Sequence, residues 1–218
     1  MTAAGTLSAC WSDKAGCDLW AHKLQIGEDP ATAVRQLAES KCVGQRKLLL
    51  DHLDDAGLRA DALAALIALE RSPEAEQAVV ASIAHPETVA AAAKQAGEWQ
   101  LAAAEPAIRA ALDDAALATH REELLQAGLA VAPAQTWVAT AVATLGDEHA
   151  PAATLDGAFT LLAAVDWSGV PPDARAAVVS ALAALLSRPA GAVTPERRAA
   201  ALKELARVPR GDGPPELP

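Results

Sequence analysis

Residues 48–66 read LLLDHLDDAGLRADALAAL, and residues 107–125 read AIRAALDDAALATHREELL. In each, an apolar run closes on a leucine and two aspartates, Leu53-Asp54-Asp55 and Leu112-Asp113-Asp114. An arginine-bearing second run then follows. The spacing inside the runs is helical. Over residues 57–71, Leu58, Ala62, Leu66 and Leu69 share one stripe while Arg59, Asp61 and Glu70 point elsewhere. Residues 173–187 do the same with Ala174, Ala177, Val178, Ala181, Leu182 and Leu185. Recurrence at i, i+3, i+4 and i+7 is the mark of an amphipathic helix. The unit is therefore helix, turn, helix.

That unit recurs along the chain. First helices are expected near Cys42, Pro73, Leu101 and Pro133, at intervals of 31, 28 and 32 residues. A period in this range predicts stacked antiparallel helix pairs, an α-solenoid of about twelve helices. Proline and glycine mark the boundaries. Pro30, Pro73, Pro86, Pro133, Pro151 and Pro195 stand near segment starts, where a missing N–H costs nothing. Asp29, Ser72 and Thr194 precede three of them as capping residues. Gly27, Gly57, Gly97, Gly128, Gly146 and Gly191 are expected at segment ends or in turns.

Composition supports an all-α chain. Among 218 residues there is no Tyr, one Phe and one Met, so the residues that favour strands are scarce. Strong helix formers dominate instead. Hydrophobic residues make up 52%, enough for a core. The net charge of −10, from 28 acidic and 18 basic residues, repels phosphate backbones and argues against nucleic-acid binding. It equally disfavours docking on anionic lipid through a basic patch. No apolar run approaches the roughly 18 residues needed to cross a bilayer.

The Leu-Asp-Asp turns resemble the inter-helix turn of bacterial HEAT repeats, including the short kind named after phycobilisome lyases. The likeness spans about residues 30–208, and only two units carry the motif clearly. The other units depart from it: His85-Pro86 stands where aspartates belong, and LGDEHAPAATLDGA has a longer turn. The resemblance implies that the aspartate caps the second helix and that the following arginine or apolar positions stack onto the next repeat. It also implies a protein-binding scaffold, with chromophore lyases as an enzymatic alternative.

Three cysteines, Cys10, Cys17 and Cys42, crowd the N-terminus. Leu7-Ser8-Ala9-Cys10 resembles the lipobox of a bacterial lipoprotein, and CWSDKAGCDLWAHKL resembles the start of HEAT-repeat lipoproteins. On that likeness Cys10 carries the lipid anchor and Cys17 and Cys42 are left to pair. Cys17 would open the first helix and Cys42 would follow the second, with the Gly27 turn bringing them together. Closing this 25-residue loop is worth about 3 kcal/mol on chain entropy. A signal peptide needs a basic region and an apolar stretch, and MTAAGT has neither. Lipidation therefore requires a start upstream of Met1. Otherwise the thiols are buried fillers and the protein is a cytosolic adaptor. Residues 1–16 are expected to be an anchor or linker, 17–208 the solenoid, and 209–218 a disordered tail whose Arg210-Gly211-Asp212 is a chance tripeptide.

Catalytic groups are not announced. His22, His52, His85, His120 and His149 are spread singly, no Cys-x-x-Cys occurs, and glycine-rich phosphate loops and nucleophile elbows are absent. His120 with Glu122 and Glu123 is the nearest thing to a ligand set, and residues two apart on a helix do not share a face. No metal or cofactor is expected. Trp99, Trp137 and Trp167 could line a groove for a partner, though each would equally plug an alanine-rich core, the favoured reading. Trp11 and Trp20 are expected to pack the first helix onto the first repeat. The expected function is a monomeric, non-enzymatic scaffold for a protein partner, tethered in the cell envelope through Cys10 or working in the cytoplasm without the lipid.

Overall fold

The structure, a computed structural model, describes residues 7–189 and 191–209, with side chains from Lys14 onward. The described residues form twelve α-helices, joined by turns and short 3-10 segments, and no strand. They are α1 (Leu7–Gln25), α2 (Pro30–Glu39), α3 (Arg46–Asp51), α4 (Arg59–Ala68), α5 (Pro73–Ser82) and α6 (Val89–Glu98). Next come α7 (Glu105–Asp113), α8 (Arg121–Val131), α9 (Val138–Gly146), α10 (Ala152–Ala164), α11 (Pro172–Ser187) and α12 (Pro195–Arg207). The all-α expectation holds.

Local chemistry explains most boundaries. Pro30, Pro73 and Pro195 begin α2, α5 and α12, while Pro133 and Pro151 stand one place before a helical segment. Ser72 accepts from Ala75 N at 3.2 Å and Thr194 from Arg197 N at 3.4 Å, as expected of caps. Asp29 does not cap: its backbone is left-handed (φ 47°), whereas a capping side chain works from the extended region. The first helix starts at Leu7, earlier than the expected Cys17, so residues 7–16 belong to α1. Gly27 (φ 72°) supplies the left-handed turn that ends this helix. The tail from Arg210 onward lies outside the described residues.

Helices pack pairwise, α1 with α2 through α11 with α12. Second helices also pack on one another in unbroken order, α2 on α4, α4 on α6, and so on to α12. One buried cluster, Ala21 to Ala78, fills the N-terminal pairs. A larger one runs from Leu63 to Val208. The two meet at Leu53, which packs against both.

Candidate interaction surface

The two Leu-Asp-Asp turns are built alike. Asp55 Oδ1 accepts from Gly57 N and Asp114 Oδ1 from Ala116 N, each at 2.8 Å. The aspartate thus closes the turn and satisfies a free donor ahead of the second helix. The arginine that opens that helix folds back. Arg59 Nε donates to the Leu53 carbonyl and Arg121 Nη2 to the Leu112 carbonyl, each at 2.6 Å. Leu112 lies at the end of α7 and Leu53 in the 3-10 segment that continues α3, where acceptors are left over and a cation is favoured. The other arm reaches onward, Arg59 to Glu87 just before α6 and Arg121 to the Thr154 hydroxyl in α10. One guanidinium therefore ties its own pair together and joins it to the next.

Other arginines cap helix ends without the motif. Arg198 donates to the carbonyls of Leu186 (2.7 Å) and Arg188 (2.6 Å) at the end of α11, and Arg188 to Leu145 (2.7 Å) at the end of α9. Arg197 grips Asp156 through Nε and Nη2, both at 2.8 Å. This bidentate bond holds the Asp156 carboxyl below its ordinary range. Several guanidinium groups are thus held in place by the frame.

The tryptophans divide. Trp137 is fully buried, its Nε1 donating to the Gly128 carbonyl at 3.1 Å and the Arg109 guanidinium 5.2 Å from the ring centre. Trp167 is also buried, its indole nitrogen without a partner. Neither offers a surface to a partner, because the alanine-rich core has little else to fill its gaps. Trp99 is half-buried with Arg71 at 5.5 Å from its ring, and Trp20 is half-buried with Lys23 at 5.3 Å.

Of the glycines expected at segment ends or in turns, Gly97 falls near the end of its helix and Gly128 lies inside one. Gly97 belongs to α6 and Gly128 to α8. A β-carbon on Gly97 would sit 3.4 Å from Ala130, and one on Gly128 would sit 2.9 Å from the Trp137 ring. One on Gly157, in α10, would run into the Leu125 side chain. Each marks a close approach across a helix interface.

Cys17 and Cys42 are at disulfide distance, their Sγ atoms 2.00 Å and their Cα atoms 5.6 Å apart. Cys17 lies inside α1 and not at its start, yet the antiparallel pairing with α2 still brings it to Cys42. The Cys42 amide bonds the Leu37 carbonyl at 2.9 Å, just as Leu101 N bonds Ala96 O at 2.9 Å. Both residues follow a left-handed Lys41 or Gln100 and fill the buried apolar slot that closes a helix. The Cys10 backbone lies in α1, and its side chain is outside the described residues.

Two surface grooves lie between second helices. A groove of about 480 Å³ between α6 and α8 is floored by Ala90, Ala93, Gly97, Ala127 and Ala130. Lys94, Glu98, Glu123 and Gln126 also line it. Gln126 borders a second groove, of about 390 Å³, between α8 and α10. A smaller cavity of about 230 Å³ lies among α7 to α10, beside the Arg121–Thr154 contact. Among the described residues, no three His, Cys, Asp or Glu side chains converge to hold a metal. None of their helices is long and apolar enough to cross a membrane. Comparison with protein-family models, with curated proteins and with solved structures gave no match.

Proposed function

We propose that the chain is an α-solenoid of six HEAT-like helix pairs and works as a non-enzymatic scaffold for another protein. The observation that carries this reading is the unbroken packing of second helices from α2 to α12. The arginine clamp found at the heads of α4 and α8 supports it, since each ties its own pair to the next. Such an array offers an extended surface out of proportion to its mass, and that surface is what helical repeats supply. Fold alone does not name a partner. The test is a photo-crosslinking residue at Gln126, on α8 between the two grooves, in the native cells. A discrete protein adduct supports the scaffold. Adducts that appear only at buried or random control positions count against it.

We also propose that the protein works in the cell envelope, tethered by a lipid on Cys10. The Cys17–Cys42 pair at disulfide distance supports the envelope placement, since such bonds persist in oxidising compartments. Intact mass of protein from native cells decides between this and a cytosolic adaptor. A chain that begins at Cys10 with added acyl mass, and gains two protons on reduction, supports the tether. An unmodified chain with three free thiols places it in the cytosol.

A further inference from the structure

We infer that the α6–α8 groove receives an amphipathic helix of a partner protein, carrying leucine-sized anchors flanked by lysine or arginine. This rests on the scaffold reading and gives that partner its chemistry. The floor is methyl groups and glycine: Ala90, Ala93, Gly97, Ala127 and Ala130. Large apolar side chains lose water there without meeting a polar group. An extended segment would bury amides that this floor cannot satisfy, whereas a helix bonds its own. From Ala90 to Gly97 the wall is about 10 Å long at 1.5 Å per residue. That length matches two helical turns presenting anchors at i, i+3 or i+4, and i+7.

Charge selects the flanks. Among the residues lining this groove, exposed Glu98 and Glu123 stand against one ammonium, Lys94, which lies 3.8 Å from Glu98. Arg121 lines the neighbouring α8–α10 groove and not this one. A second copy of this chain would bring a net charge of −10 to an acidic rim, and nucleic acid would bring phosphates. Both are repelled. Residues 1–13 do not fit either, since they hold no basic side chain, nor do residues 209–218, with three prolines after Pro209 and no apolar helical pattern. The occupant is a basic helix of a separate protein.

The test uses a fluorescently labelled synthetic helix of leucine and lysine, with leucines at i, i+3, i+4 and i+7, titrated with the full chain by anisotropy. A leucine–glutamate version of the same helix is the control. Ala130→Phe fills the groove from an exposed position without changing charge, so it separates docking from general attraction to an acidic surface. Ala91→Phe, also exposed in the groove, serves if Ala130→Phe loses its melting transition. The expected result is binding of the lysine helix only, weakened about tenfold by either filling variant and again by Glu123→Lys, on the scale of a central contact. Equal affinity in a filled groove overturns the inference, as does preferred binding of the glutamate helix. A dimer in sedimentation that Ala130→Phe abolishes overturns it in favour of a second copy, and duplex DNA displaced by the same variant does so in favour of nucleic acid. If the Gln126 crosslink to a native protein persists in Ala130→Phe, the scaffold stands while the groove assignment fails.

Discussion

The indole of Trp137 lies across Gly128, donating its N–H to that residue's carbonyl at 3.1 Å and occupying the space a β-carbon would need. Glycine inside a helix ordinarily costs up to about 1 kcal/mol against alanine. Here the sign reverses. Gly128→Ala would press a methyl to 2.9 Å from a ring atom that is fully buried, and the expected loss is about 1–3 kcal/mol, the usual cost of overpacking. Gly16→Ala, in α1 with open space at the added carbon, should be neutral or slightly stabilising. Denaturant midpoints of the two variants check this. A Gly128→Ala protein as stable as the parent would mean that α8 and Trp137 do not meet this way.

That contact also marks where sequence reading stops. The helices were legible because alanine and leucine recur at helical spacing, and the Leu-Asp-Asp turns because both aspartate and arginine are local signals. Gly128 was not: a turn glycine and a close-approach glycine are the same letter, and only the partner from another helix separates them. The arginines were visible as part of the second helix, but their acceptors are backbone carbonyls, which no residue pattern reveals. The groove was hidden for a related reason. Ala130 is exposed and Ala127 buried, although both sit in one alanine-rich stripe. Trp137 and Trp167 as core plugs, and Cys17 beside Cys42, were within reach because bulk and pairing are properties of those residues themselves.

Arg121 joins three elements at once, bonding the end of α7 through Leu112 and the start of α10 through Thr154 from the head of α8. Arg121→Met keeps the apolar stem and removes both bonds, leaving the mostly buried Thr154 hydroxyl short of a partner. The expected cost is about 2 kcal/mol. Arg121→Lys should recover less than half, because one ammonium cannot reproduce a planar fork aimed at two acceptors. Arg35→Met, which loses only an exposed bond to Thr32 at 3.2 Å, should stay within about 0.5 kcal/mol of the parent. Urea unfolding of the three variants tests the clamp. Equal loss at Arg35 and Arg121 would remove it.

Cys17→Ser should lower stability by about 3 kcal/mol in oxidised protein, from the unfolded-chain freedom that a 25-residue bridge removes. In reductant, parent and variant should unfold together. The comparison needs both conditions, since Cys42 also fills a buried slot at the end of α2. A deficit of equal size with and without reductant would assign the effect to packing and not to a bond.

Acid should weaken the Asp156–Arg197 link from one side only. The guanidinium holds the Asp156 carboxyl below its ordinary value, so the folded form binds a proton less readily than the unfolded form, whose aspartate titrates at about 3.9. The contribution is therefore complete above that value and lost as pH falls through the lower, folded one. Asp156 is exposed, and solvent limits the contribution to about 0.5 kcal/mol. Asp156→Asn should accordingly melt slightly below the parent at neutral pH, with the gap closing on acidification. Thermal melts of both proteins across that range check the sign. A gap that widens as acid is added would mean that the carboxylate is held in its neutral form, contrary to the bidentate geometry.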